Sequence, residues 1–288
     1  MVMCMEFFQM NQMKPWVSPL HKARRLASAP AEPTVIVVLD EPEPIYCVSG
    51  LWQRLADGGL GQWQLLQELL PEYRLKLIEM PGHTSGDKRP VSLNDWKMRI
   101  RGQIRLDAPV SFFAHSAGVA ACQLFENEWP EQVADMAMLS GSPLKTEGDA
   151  VPSVPKQFRF VKYLWKIWRN KQYRQTADDE RFTRGGTAVN FGVESGLVTQ
   201  QILFPRAVVQ PLQCPSLVLA AMHDQFYPLH KGIQQAIADY NKSAYAVVRG
   251  THMFHCDRDS ATETVKYIRA WRSTLKSERR HVRAQIAA

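Results

Sequence analysis

The chain has 288 residues, 45% of them hydrophobic and 22% charged, values that exclude a largely disordered polypeptide and allow one large domain with an insertion or two small ones. Its 35 Lys and Arg against 28 Asp and Glu leave a net charge of +7, which favours acidic partners but, with no recognition motif beside it, does not indicate nucleic acid. The five cysteines, Cys4, Cys47, Cys122, Cys214 and Cys256, are odd in number and lack C-x-x-C spacing, so they read as free thiols in a reducing, cytoplasmic compartment.

Residues 1–33 read as a solvated N-terminal extension. Residues 1–13 are apolar but broken by Glu6, Gln9, Asn11 and Gln12, so no signal peptide is expected, and no stretch reaches the length of a membrane span. Residues 34–39 are a strand by β-branched density, 40–44 a Pro-rich turn, and 45–48 a second strand. That strand leaves through Ser49-Gly50-Leu51-Trp52, a glycine-containing exit whose Leu51 N–H is placed to donate into an oxyanion hole. Residues 62–70 carry Trp63, Leu66, Leu69 and Leu70 at the spacing of a helix packed on a sheet. Residues 74–80 form a strand that ends in the loop Pro81-Gly82-His83-Thr84-Ser85-Gly86.

At Val110-Ser111-Phe112-Phe113-Ala114-His115-Ser116-Ala117-Gly118 an apolar, β-rich run meets a serine among small residues, and a helix-forming run follows. This is the strand-turn-helix setting of a nucleophile elbow, in which the serine sits in strained backbone and its neighbours must be small. Ser116 is the candidate nucleophile, and Ala117 N–H, at the start of the helix behind it, the second oxyanion donor.

Residues 34–143 resemble the first half of an α/β-hydrolase. Ser49-Gly50-Leu51-Trp52 stands where that superfamily carries an H-G-x oxyanion loop, Pro81-Gly82-His83-Thr84-Ser85-Gly86 resembles P-G-H-G-x-S, and Ala114-His115-Ser116-Ala117-Gly118 resembles the G-H-S-x-G elbow. Ser49 replaces the frequent histidine and Ala114 the frequent glycine. The resemblance implies structural roles for His83 and His115.

Beyond the elbow, residues 119–128 read as a helix and 136–140 as a strand closing at Gly141-Ser142-Pro143, with no carboxylate at its end. Residues 147–206 break the strand-helix alternation and are expected to be an inserted helical cap. Within it, residues 156–174 form an amphipathic helix: Arg159, Lys162, Lys166 and Arg169 on one face, Val161, Leu164, Trp165 and Trp168 on the other. The aromatic face, with Trp52, is expected to line the substrate site. The cations are either solvated or a docking stripe for an anionic partner such as an acidic carrier protein, coenzyme A phosphates or a membrane surface.

The core resumes over residues 207–277. Residues 215–222 are a strand with Asp224 in its exit loop, and 243–248 a strand leading into Arg249-Gly250-Thr251-His252. The order serine, aspartate, histidine is the one α/β-hydrolases use. It makes Ser116, Asp224 and His252 the candidate triad, with His255 and His223 as competitors of His252 and His230 a surface or packing residue. The terminal helix is expected to open on the capping box Ser260-Ala261-Thr262-Glu263 and to bury Val265, Ile268, Trp271 and Leu275, with 278–288 a frayed basic tail.

The resemblance therefore implies a mostly parallel sheet flanked by helices, with an inserted helical cap. It implies a serine hydrolase acting on a carboxylic ester or thioester, with no metal or organic cofactor and a small or carrier-linked acyl substrate. The same triad also serves C–C hydrolases and cofactor-free lyases, and the fold also serves non-catalytic receptors.

Overall fold

Short runs of apolar, β-branched and aromatic residues form the strands β1 (Glu43–Val48), β2 (Tyr73–Leu77), β3 (Val110–His115), β4 (Val133–Leu139), β5 (Lys145–Thr146), β6 (Val208–Val209), β7 (Ser216–Ala221) and β8 (Ser243–Val248). The computed structural model describes residues 43–50, 59–81, 91–141, 145–146, 208–224 and 243–287. Six strands make one sheet in the order β2-β1-β3-β4-β7-β8, and every neighbouring pair runs parallel. β5 and β6 pair separately, which brings together the two ends of the intervening segment.

Parallel strands covered on both faces are apolar at successive positions, and β3 and β7 are buried along their whole length. Alternate side chains feed two cores. Phe112 and Ala114 pack with Trp96 and Ile100 of α2 (Leu93–Gln103) and with Val119 and Phe125 of α3 (Ala117–Glu128). Phe113 packs on the other face with Leu66 of α1 (Gln64–Leu69) and with Val265, Ile268 and Trp271 of α4 (Arg258–Ala287). The result is helix, sheet and helix in three layers.

The strand order positions the site. From β1 the chain steps outward to β2, returns to β3 on the other side of β1, and then continues through β4 and β7 to β8. The order thus reverses between β1 and β3, and it is outside the carboxyl ends of the strands at such a point that an open parallel sheet binds its ligands.

Several boundaries differ from those expected. The strand expected at 34–39 lies outside the described residues, as does the cap at 147–206. Glu43 and Pro44 belong to β1 and not to the preceding turn. They occupy the stretch where β1 pairs with β2 only, so the missing proline N–H removes no bond to β3. The strand expected at 74–80 ends at Leu77, where its pairing with β1 ends. β4 begins at Val133, three residues before the expected 136.

α2 lies in a segment assigned no element from the sequence. Its capping box is formed by Ser92 Oγ, which accepts Asp95 N–H at 3.2 Å, and Asp95 Oδ2, which accepts Ser92 N–H at 2.7 Å. α4 starts at Arg258 and not at Ser260, because Asp257 Oδ2 accepts both the Ser260 N–H at 3.1 Å and its O–H at 2.9 Å. Glu263, the expected reciprocal cap, instead accepts Arg249 N–H at 3.1 Å. α4 also continues to Ala287 through the expected tail, a stretch of strong helix formers.

Candidate active site

Ser116 follows the last residue of β3 and has φ 52° and ψ −121°. A non-glycine residue in that region costs on the order of 1–3 kcal/mol and persists only where its surroundings hold it. Here its N–H donates to Leu139 O at 3.1 Å, and its carbonyl accepts Val119 N–H at 3.2 Å. Two glycines make the turn sterically feasible. A Cβ on Gly118 would stand 2.5 Å from Val48 O and 2.8 Å from Ser49 O, and one on Gly50 would stand 2.7 Å from Ser116 Cβ. The first turn of α3 thus lies directly against the exit of β1, and Ala114 beside it is fully buried.

β7 and β8 bring in the other two groups. Met222 N–H donates to Val248 O and His223 N–H to Gly250 O, each at 2.9 Å, so the exit loops of the two strands are tied together. His252 then stands between Ser116 and Asp224, with Nε2 2.9 Å from Ser116 Oγ and Nδ1 2.9 Å from Asp224 Oδ2. A carboxylate accepts, so Nδ1 donates to Asp224 and Nε2 is left to accept the Ser116 O–H. The Asp224 side chain is fully buried. Gly250, at φ 124°, turns the loop towards the sheet, with Ser260 and Phe254 occupying the space a side chain would need. A hydroxyl, an imidazole and a buried carboxylate in series can move a proton from oxygen to nitrogen while the carboxylate orients the ring and balances its charge.

No protein-family model matches the chain, and no curated protein matches it. Solved structures do. The chain is similar to a thermophilic esterase from Thermogutta terrifontis, with a TM-score of 0.60 and 14% identity over 81% of this chain and 90% of that one. It is also similar to a monoacylglycerol lipase from Paleococcus ferrophilus, with a TM-score of 0.56 and 16% identity over 79% and 93% of the two chains. An enol-lactonase from Burkholderia xenovorans matches with a TM-score of 0.57 and 15% identity over 81% and 92%. The chain has the α/β-hydrolase fold.

Within this fold the three candidate residues follow the carboxyl ends of β3, β7 and β8. Of the competitors for the histidine role, His223 is exposed and His255 is turned inward, its Nε2 3.0 Å from Gln62 Oε1. Ala117 opens α3 immediately behind Ser116. Leu51, Trp52, His83, Trp165, Trp168, His230 and the basic stripe of Arg159, Lys162, Lys166 and Arg169 lie outside the described residues.

The site also has a wall of buried side chains behind it; the resemblance implies a structural role for His115 there, but not its partners. His115 and His255 are buried side by side, their ring centroids 4.5 Å apart, and the His115 ring centroid lies 4.8 Å from that of His252. Trp63 packs against His255, ring centroids 5.2 Å apart and tilted by 31°, and donates Nε1–H to Ser49 Oγ at 2.9 Å. Burial, then the neighbouring His255 and His252, push the His115 imidazole well below its usual range. Burial, then His252, push His255 down to about 3. Both rings are neutral at neutral pH.

Among the described residues no group of His, Cys, Asp and Glu could hold a metal ion, and no helix is long and apolar enough to cross a membrane. Cys47, Cys122 and Cys214 are free and buried, and burial raises each thiol above its usual range, which suppresses the reactive thiolate.

Proposed function

We propose that this protein is a serine hydrolase that cleaves a carboxylic ester or thioester through an acyl-enzyme intermediate. The observation that carries the reading is the His252 imidazole held 2.9 Å from Ser116 Oγ on one side and 2.9 Å from Asp224 Oδ2 on the other. Ser116 Oγ attacks the substrate carbonyl carbon as its proton passes to His252 Nε2. The tetrahedral oxyanion is stabilised by the N–H groups of Ala117 and Leu51. Its collapse breaks the bond to the leaving alkoxide or thiolate, which takes the proton from His252. Water then attacks the acyl-serine, its proton goes to His252 and on to Ser116 Oγ, and the carboxylic acid departs. Asp224 stays ionised and orients Nδ1–H throughout.

Three of the similar structures are an esterase, a lipase and a lactonase, which supports the same chemistry. A receptor would need neither the strained serine nor the aligned imidazole. The test is turnover of a series of p-nitrophenyl esters and acyl thioesters from acetyl to lauroyl, with fluorophosphonate labelling of Ser116. Ser116→Ala is expected to abolish labelling and to lower kcat by roughly 10⁴-fold or more with an unchanged melting temperature. Turnover that survives the substitution would sink the proposal. Labelling of Ser116 without turnover of any ester or thioester would leave the nucleophile in place and move the substrate class to C–C bonds.

A further inference from the structure

We propose that His115 is a positioning residue for His252, seating the imidazole between Ser116 and Asp224, a role that rests on the hydrolase reading above. His115 is the last residue of β3 and the immediate neighbour of Ser116. Its Nε2 lies 3.0 Å from the main-chain carbonyl oxygen of His252. A carbonyl can only accept, so Nε2 carries the hydrogen and donates. One rigid strand end therefore presents the nucleophile with one residue and holds the main chain of the base with the residue before it.

The rest of the back wall keeps that donor in place. His115 is backed by His255, His255 by its bond to Gln62 Oε1 and by Trp63, and Trp63 by Ser49 at the exit of β1. Packing alone does not account for an imidazole here. A phenylalanine would fill similar volume without a donor, and it would leave no buried ring nitrogen without a partner, whereas His115 Nδ1 is buried and bonded to nothing. An unpartnered buried polar atom carries a desolvation cost, so the histidine is less favourable than an apolar ring for stability alone. What it adds is the bond to the His252 carbonyl. Displacing a catalytic group by about 1 Å costs up to about 10²-fold in rate, which sets the size of the effect.

The experiment compares the full-length protein with His115→Phe, which keeps the ring and removes the donor, and His115→Gln, which returns an amide N–H near the Nε2 position. Sites are counted by fluorophosphonate titration. The readouts are kcat per titrated site, KM, and the ¹⁵N and ¹H resonances of the His252 side chain. The Phe variant is expected to lower kcat per site roughly 10–100-fold with KM changed less than about 3-fold, and to move or broaden the His252 Nδ1–H resonance. The Gln variant is expected to recover most of both.

A Phe variant with kcat per site within about 2-fold of wild type and an unmoved His252 resonance would overturn the proposal. A Gln variant no better than Phe would do the same. If the Phe protein does not fold, His115→Met, which also lacks the donor and adapts to irregular space, takes its place. The resonance separates this inference from the hydrolase reading. If it moves in Phe and returns in Gln while no ester is cleaved, positioning stands and the hydrolysis reading falls. Ester turnover that ignores position 115 has the reverse meaning.

Discussion

Near the amino ends of β1, β3 and β4, the guanidinium of Arg272, only 3% exposed, donates to Asp135 at 2.9 Å, to Glu43 at 2.6 Å and to Ser111 at 3.4 Å, and lies 4.8 Å from the Tyr73 ring centroid. Beyond the carboxyl ends of the sheet the buried ionisable rings are instead His115, at the end of β3, and His255, in the turn after β8, both neutral and with ring centroids 4.5 Å apart. Burial opposes the charge on Arg272, but Asp135 and Glu43 beside it more than offset this and hold its proton more tightly than usual. At the other end burial meets no such offset and the two rings lose their protons. One end of the sheet thus fixes charge permanently. The other keeps the His115 and His255 rings uncharged, so that a positive charge forming on His252 during turnover meets no like charge on either of them.

The largest effect should come from breaking the charged end. Arg272→Met takes the guanidinium from beside the Asp135 carboxylate, itself 1% exposed, and the loss is expected at about 3–5 kcal/mol of unfolding free energy. Adding Asp135→Leu replaces the pair with apolar groups and should return most of that loss. Turnover per folded molecule should be the same in both. Urea titration together with kcat per titrated site checks all three statements, and a large fall in turnover from Arg272→Met would show that the two ends are not separable in this way.

An effect seen only as the pH falls belongs to the neutral end. His255 takes up its proton at about 3 in the folded state and near 6.5 in an unfolded chain. Between those values the unfolded state binds more protons, so stability rises with pH. The contribution is fully present above about 6.5 and is lost as the pH falls towards 3, at up to about 1.4 kcal/mol per pH unit while the difference is one proton. His115 acts in the same direction, because its folded value is also depressed. His255→Gln, which can keep a bond to Gln62, should therefore flatten the dependence of unfolding free energy on pH between about 4 and 6. An unchanged slope would show that His255 is protonated inside the fold.

Legibility in the sequence followed how local the constraint was. The elbow could be read because the demand for small side chains is set within a few residues of Ser116, by the approach of Gly118 to Val48 O, and a strand before it and a helix after it frame the pattern. The strand ends carrying Asp224 and His252 were readable for a similar reason, as β-rich runs closed by turn residues. α2 was harder: only Leu93, Trp96 and Ile100 are buried, among charged and polar neighbours, so its apolar stripe is one side chain wide. The Arg272 cluster and the bond from His115 to the His252 carbonyl join residues 137 positions apart. The latter ends on a main-chain atom, which leaves no mark in the residue pattern.

The smallest expected effect belongs to an exposed pair on the same helix, because α4 carries a second arginine three residues before Arg272. Arg269 donates to both oxygens of Glu72, at 2.5 and 2.9 Å, and to Leu69 O at 2.8 Å, as many hydrogen bonds as Arg272 makes, though to one carboxylate where Arg272 meets two. The bond to Arg269, ahead of its charge, lowers the proton affinity of Glu72, so the pair stabilises the fold above the unfolded glutamate pKa and is lost as the pH falls through the folded one. Yet the two side chains are 49% and 39% exposed, and water screens such a pair to about 0.2–1 kcal/mol. Arg269→Ala should therefore cost less than about 1 kcal/mol, against the several expected for Arg272→Met on the same helix. If the two substitutions destabilise equally, the number of hydrogen bonds and not their removal from water decides what an arginine on this helix contributes.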